Sequence, residues 1–323
     1  MTRFLAVDLG GTHIRFRLVG DPARPAPVHG VEAKDVTSFE HAVQWWREQA
    51  GIRGALDAIG IAAAGPVRHD RVRITNLDWI LDARAIERDC GARRCLLVND
   101  VTAIAWALPS LVREDLRTLA AGSPDDRAAK AVVAPGTGLG VSGLVPAAQG
   151  GFAAVEGEGG HRTLAAQNPR EWEIVAALAE RFGHASAERA LSGPGIEAIR
   201  KALESIDGAR HGADGSAAAI ARDAFTGADP VAEETIATFT AFLGSVAGDL
   251  ALTLGARGGV YIAGGIVPGW GERFDSRRFL ERFRAKGRFR TYLGEIPVHV
   301  VTHPHPGLVG VEHLLAHRVT GGS

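Results

Sequence analysis

Phe4-Leu5-Ala6-Val7-Asp8-Leu9-Gly10-Gly11-Thr12-His13-Ile14-Arg15-Phe16-Arg17-Leu18-Val19 is the stretch on which the rest of the chain can be read. The apolar run Phe4–Asp8 predicts a buried strand. Ile14, Phe16 and Leu18, alternating with Arg15 and Arg17, predict a second, half-buried one. Gly10-Gly11-Thr12 between them predicts a tight reversal. Backbone N–H groups converging in such a turn bind phosphate oxygens; glycine permits positive φ and close approach, and the Thr12 hydroxyl adds a donor. The same residues are also compatible with an ordinary hairpin.

Working outward, a third strand is predicted near 28–33 and a helix over 38–49 carrying Trp45 and Trp46. A strand over 58–63 ends at Gly65-Pro66, followed by a short strand at 72–75 and a helix over 83–88. A strand over 95–98 then delivers Asn99-Asp100. Antiparallel strands followed by alternating helix and strand read as α/β. The pattern restarts with a strand at 131–134, the turn Gly136-Thr137-Gly138-Leu139-Gly140, and strands at 141–145 and 152–155. A weak internal duplication is thus visible in strand order and turn chemistry.

The middle of the chain reads as helical. Asn168-Pro169-Arg170-Glu171 is an N-cap, a first-turn proline and an acid, opening a helix that stops at Gly183. Ile196, Ile199, Leu203 and Ile206 form one apolar stripe. Asp229-Pro230 opens a long helix ending near Gly255, with Ile236, Phe239, Leu243, Val246 and Leu250 on one face. Gly244 and Gly248, four apart, predict close approach of another backbone. A strand over 258–262 then runs into Gly264-Gly265. Polar loops are predicted at Gly122–Asp126 and His211–Ser216.

The chain's 323 residues exceed one compact core and suit two lobes. Hydrophobic residues make up 46% and charged residues 23%, a globular balance. A net charge of -1 leaves no electrostatic footprint for nucleic acid or an anionic membrane. Cys90 and Cys95 support neither a disulfide framework nor a zinc site. Met1-Thr2-Arg3 leads straight into the first strand with no leader, and no apolar run is read as reaching the ~20 residues of a membrane helix. A cytoplasmic location is expected.

Several motifs carry candidate chemistry. Gly138, Gly140 and Gly143 satisfy G-x-G-x-x-G, but that fingerprint must open a helix, and Val141–Val145 reads as strand, so a dinucleotide site is rejected. No Walker-type phosphate loop occurs. Asp100 at a strand end can take a proton from a hydroxyl, or can cap the helix that follows. Glu158-Gly159-Gly160-His161 places a carboxylate and an imidazole around a flexible pair, a cluster suited to sugar hydroxyls or simply a polar turn. Glu188 follows Ser186, where an acid in a first helical turn is favoured by the dipole anyway.

Taken together these segments resemble the bacterial glucokinase family, ATP-dependent hexose kinases with the two-lobed, actin-like (ribonuclease H-like) α/β fold. Asp8-Leu9-Gly10-Gly11-Thr12, Asn99-Asp100, Gly136–Gly140, Glu158-Gly159-Gly160-His161, His184–Arg189 with Leu191–Gly195, and Ile262–Pro268 carry the resemblance in order along essentially the whole chain. It implies a small lobe of 1–109 plus 304–323 and a large lobe of 110–303, each with a mixed sheet and flanking helices. It implies Asp100 as the base on the 6-hydroxyl of glucose, with Asn99 beside it on ring hydroxyls. Glu158, His161 and Glu188 would grip hydroxyls around the anomeric end. Gly10, Gly11 and Thr12 would embrace the terminal phosphates of ATP, with Asp8 on Mg²⁺. Gly136, Thr137 and Gly138 would form a second phosphate turn, and Gly264 and Gly265 would adjoin the adenosine. A homodimer is also implied.

Two departures fall on the phosphate side. His13 stands where many relatives carry Asn, and Pro135 where Gly or Ala is usual. The cysteine-rich zinc motif of sugar kinases that double as repressors is absent. Phosphorylation of another hexose or an amino sugar, and a non-catalytic sugar-binding regulator on the same fold, are the alternatives.

Overall fold

A computed structural model describes residues 3–20, 26–75, 77–208 and 215–320. Most of the predicted loop His211–Ser216 lies outside them. The chain divides into two compact units, Met1–Val112 with His303–Ser323, and Arg113–Thr302.

In the first unit the chain runs β1 (Phe4–Leu9), β2 (His13–Val19), β3 (His29–Glu32), α1 (Phe39–Ala50) and β4 (Ala58–Ala63). It continues through β5 (Arg71–Arg73), β6 (Ile80–Asp82), α2 (Ala83–Asp89), β7 (Cys95–Asn99) and α3 (Asp100–Ala107). One sheet has the order β3-β2-β1-β4-β7, and β5 and β6 form a separate ribbon. The first three strands are antiparallel, while β4 and β7 run parallel to β1. Chemistry explains the placement. β4, Ala-Ile-Gly-Ile-Ala-Ala, is buried along its whole length, as a central parallel strand must be. β2 alternates, with Ile14 and Phe16 in the core and the Phe16 ring stacked 6.2 Å from that of Trp46.

The second unit continues with β8 (Leu116–Ala120), β9 (Lys130–Pro135), β10 (Leu139–Pro146) and β11 (Phe152–Val155). Its helices are α4 (Pro169–Phe182), α5 (Gly193–Asp207), α6 (Ala217–Thr226) and α7 (Pro230–Leu254). Then come β12 (Val260–Ile262), α8 (Ile266–Trp270), α9 (Ser276–Phe283), α10 (Arg290–Gly294) and β13 (Val298–Val301). The sheet order is β11-β10-β9-β12-β13-β8. Its first five strands repeat the β3-β2-β1-β4-β7 arrangement of the first unit, each an antiparallel trio followed by two parallel strands. The internal duplication is therefore real at the level of topology, and it makes the two glycine turns equivalent positions.

α7 organises the second core. Asp229 caps it by accepting from the Val231 and Ala232 N–H groups, and Gly255 at φ 61° ends it. Contrary to the sequence reading, it is long and apolar enough to cross a membrane by composition, but 83% of its most apolar window is buried inside the protein. A helix apolar nearly all round is what a central core position requires. A methyl on Gly244 would overlap the Phe279 carbonyl of α9, and one on Gly248 would lie 2.6 Å from the Phe283 carbonyl. The two glycines thus admit α9, as their spacing predicted.

The chain ends in the first unit with α11 (Pro306–Thr320). Gly310 lies against the Ala103 carbonyl of α3, and Gly60 of β4 makes room for Val311 and Leu315. Glu312 pairs with Arg17 of β2. Gly310 thus sets α11 against the helix that begins at Asp100, while Gly60 and the Arg17–Glu312 pair set it against the sheet.

Candidate active site

In the first unit, Asp8 sits near the end of β1, directly opposite Arg15 of β2 in register. The Arg15 guanidinium lies 3.5 Å from its carboxylate. Burial pushes the Asp8 carboxyl above the usual range, and Arg15 pulls it back. A methyl on Gly307 would be 3.3 Å from the same carboxyl, so the first turn of α11 runs beside it. In the turn after β1, the Gly10 N–H donates to the His13 carbonyl at 3.1 Å, and the Thr12 carbonyl accepts from Ala33 N–H at 2.8 Å. Thr12 itself is exposed.

The structure separates the two readings of Asn99-Asp100. Asn99 is the N-cap of α3: its amide oxygen accepts from the N–H groups of Val101 (3.0 Å) and Thr102 (3.2 Å). Its amide nitrogen donates to the Gly65 carbonyl at 3.2 Å. Asp100 is therefore the first helical residue rather than the cap, and one of its oxygens accepts from the adjacent Val101 N–H at 2.9 Å. Burial pushes its carboxyl up to about 6, the negative charge of Asp8 adds to the rise, and the backbone bonds only partly oppose it. Asp8 and Asp100 thus share one electrostatic neighbourhood within this unit.

In the second unit, Gly136, Thr137 and Gly138 turn β9 into β10, with Thr137 exposed at the tip. The Gly136 N–H donates to the Gly138 carbonyl at 2.8 Å, and the Gly136 carbonyl accepts from Gly193 N–H at 2.8 Å. Glu188 reaches this turn directly: its Oε2 accepts from the Leu139 N–H at 2.9 Å. A methyl on Gly138 would lie 2.5 Å from that oxygen. The other oxygen, Oε1, lies 3.8 Å from His161 Nδ1. Glu158 is exposed three residues before His161, and its carbonyl accepts the His161 N–H at 3.0 Å. Glu188, His161 and the glycine turn are therefore brought together, with Glu158 on the adjoining short helical turn.

Two sequence readings of the glycines need correction. None of Gly10, Gly11, Gly136 and Gly138 has positive φ. Close approach, not left-handed backbone, is the use of Gly138, which admits the Glu188 carboxylate; around Gly10 and Gly136 the space is ordinary. Nor is Gly159-Gly160 a flexible spacer. A methyl on Gly159 would meet Val141 at 3.0 Å, and one on Gly160 would overlap the Leu139 carbonyl, so the pair lets this turn lie flat on β10.

Gly264 does take positive φ, 78°, and lies against the Pro135 carbonyl, so the chain after β12 crosses the end of β9. Gly265 then lines a mostly apolar cavity of about 350 Å³ with Ile196, Ala217, Ala221, Phe225 and Trp270. Arg273 stacks over the Phe225 ring at 5.0 Å. Sequence reasoning missed this wall. Its only signal was apolar and small residues on three separate helices, which nothing local in the chain brings together.

Among the described residues, no three His, Cys, Asp or Glu side chains are grouped to hold a metal ion. The oxygen donors of Asp8 and Asp100 are hard ligands, suited to Mg²⁺ carried in mainly by phosphates and water rather than to a closed protein cage.

A sequence profile described as Glucokinase matches residues 5–318. A glucokinase from Aromatoleum aromaticum is 45% identical over 319 residues, covering 97% of this chain and 95% of that protein. The crystal structure of a glucokinase from an Antarctic psychrotroph is 34% identical, with a TM-score of 0.88 over 98% of this chain and 99% of that one. A glucokinase of the ROK family from Streptomyces griseus, solved with glucose and AMPPNP, shares the fold at 22% identity, a TM-score of 0.64 and coverage of 97% and 98%.

Proposed function

This chain belongs to the glucokinase family, and on that premise we propose that Asp100 is the base that activates glucose for phosphorylation by ATP. The fold is the actin-like, hexokinase-type α/β fold of those relatives, and the activity is that of an ATP-dependent glucose kinase. The Asp100 carboxylate takes the proton from the 6-hydroxyl as O6 bonds to the γ-phosphorus. The bond from that phosphorus to the β–γ bridging oxygen breaks, giving glucose 6-phosphate and ADP. What supports this role most is that Asn99 does the helix capping, which leaves a half-buried carboxylate with a raised pKa at the end of a parallel strand.

Gly10, Gly11 and Thr12, with Gly136, Thr137 and Gly138, hold phosphate oxygens through backbone N–H groups. Glu158, His161, Glu188 and Asn99 hold sugar hydroxyls. Gly264 and Gly265 border the adenine, for which the cavity supplies a mostly apolar wall. Mg²⁺ on the nucleotide, with Asp8 as its protein ligand, would draw charge off the transferring phosphoryl group. Cys90 and Cys95 are free and buried, in keeping with a reducing cytoplasm. A homodimer is the proposed assembly, and light scattering tests it.

The decisive assay couples ADP release to a readout, with Mg·ATP and a panel of hexoses. Glucose should be the preferred acceptor. Faster turnover of mannose or an amino sugar would reassign the substrate, and glucose binding without any turnover would remove the kinase reading.

Two further results are expected. Because Asp100 must be ionised to accept a proton, kcat/KM should fall about tenfold per pH unit below an apparent pKa near 6. A profile flat down to pH 4.5 would exclude it as the base. Ala217→Phe fills the apolar cavity from α6. It should raise KM for ATP by roughly tenfold, with KM for glucose within about twofold, in steady-state kinetics. Equal effects on both substrates would place the adenine elsewhere.

A further inference from the structure

The Glu188 carboxylate has two oxygens in two different places. Oε2 accepts from the Leu139 N–H at 2.9 Å, at the exit of the Gly136–Gly138 turn, and Oε1 faces His161. The segment around Glu188 is stitched to the same turn a second time. The Ser192 hydroxyl donates to the Glu188 carbonyl at 2.8 Å and accepts from Gly195 N–H at 3.0 Å, while Gly193 N–H donates to the Gly136 carbonyl at 2.8 Å. Gly193 also lines the apolar cavity. The carboxylate is planar, so turning Oε1 toward a sugar hydroxyl also moves Oε2 against the turn. Gly138, with no side chain, lets that oxygen sit at the turn's edge.

We propose that Glu188 is a positioning residue for the second phosphate turn as well as a sugar contact, so that one carboxylate links the sugar and nucleotide sides within the second unit. This rests on the reading above of Glu188 and of the 136–138 turn. Sugar seated on Oε1 and His161 holds the carboxylate in the orientation that fixes Leu139, and a fixed turn binds phosphates better. By linkage, nucleotide then tightens sugar by the same factor. A sugar contact and nothing more would leave the turn indifferent to Glu188 when no sugar is present, and that difference can be measured.

The test is calorimetric titration of the full chain with Mg·AMPPNP and, separately, with glucose. In the wild type, saturating glucose should tighten the nucleotide at least about fivefold. Glu188→Ala, which removes the acceptor for Leu139 N–H, should weaken sugar-free nucleotide binding by roughly tenfold. Glu188→Gln keeps an amide oxygen for that N–H and should restore sugar-free affinity to within about threefold of wild type. Gly138→Ala pushes on Oε2 from the nucleotide side, and should weaken glucose binding measured without nucleotide by severalfold.

Strictly additive binding in the wild type overturns the proposal. So does an unchanged sugar-free nucleotide Kd in Glu188→Ala, or an unchanged glucose Kd in Gly138→Ala, in protein that melts like wild type. Should Glu188→Ala not fold, the wild-type and Gly138→Ala titrations decide. A wild type that binds neither glucose nor Mg·AMPPNP would instead remove the site assignment on which the proposal stands.

Discussion

Asp100→Asn should lower kcat by about 10²–10⁴, the contribution of a positioned acid–base group, and at pH 7–8 should make the fold more stable than wild type. The second effect follows from the sign of the shift. The Asp100 carboxyl titrates near 6 in the folded chain, against an ordinary value of 3.8. A carboxyl raised in this way holds its proton better folded than unfolded, so its favourable contribution is complete below about pH 4 and lost as pH rises through 6. Above that, the half-buried ionised group costs up to about 3 kcal/mol. An amide of the same shape carries no charge to bury, although it keeps a polar group to satisfy, so a gain of about 1–3 kcal/mol is expected. The gain should be about half as large at pH 5 and absent near pH 4. Urea titration of both proteins at pH 5 and pH 8, beside the coupled assay, checks the pair of effects. Near-normal turnover would remove Asp100 from the chemistry, and equal stability at pH 8 would mean its burial costs little.

Gly310→Ala should destabilise the first unit by about 3 kcal/mol and reduce activity with it. Alanine is the better helix former by about 1 kcal/mol, so propensity alone predicts the opposite sign. Packing decides. A methyl on Gly310 would overlap the Ala103 carbonyl and lie 2.6 Å from its carbon and 3.1 Å from the Ala107 nitrogen, all backbone atoms of α3. No rotamer change can clear backbone, so α11 and α3 must separate, and overpacking of this kind costs about 1–3 kcal/mol or more beyond the propensity gain. Since α3 starts at Asp100, the shift reaches the base. Gly60 offers the comparison, because there the obstacles are the side chains of Val311 and Leu315, which can give. Gly60→Ala should therefore cost less. Trp106 of α3, nearly fully buried and 6.0 Å from the His313 ring, reports the separation by fluorescence. A Gly310→Ala protein with wild-type melting and emission would show that the α3–α11 contact has slack enough for a methyl group.

Local chemistry was legible where neighbours in sequence supply the whole cause. Asn168 and Ser186 cap their helical turns as read, and the helices read as starting at Ser38 and Asp229 are capped by those residues, because a cap needs only its own oxygen and the next three N–H groups. The hairpins around Gly10–Thr12 and Gly136–Gly138 were legible from alternation and turn residues. β8 and β13 were not, because both are short: β8 is a strand only by pairing with β13, and β13 by pairing with β8 and with distant β12. Asn99-Asp100 could be read either way, since both side chains can cap and the choice depends on Gly65, thirty-four residues away, receiving the Asn99 amide.

The order of apolar runs and glycine turns was enough to specify an α/β chain built twice over, because burial period and turn chemistry are properties of short segments. The state of the Asp100 carboxyl, the anchoring of Leu139 by Glu188 and the apolar wall beside Gly265 were not available from that order. Each depends on burial or on contacts between residues far apart in the chain, and such contacts exist only once the sheets and helices have packed.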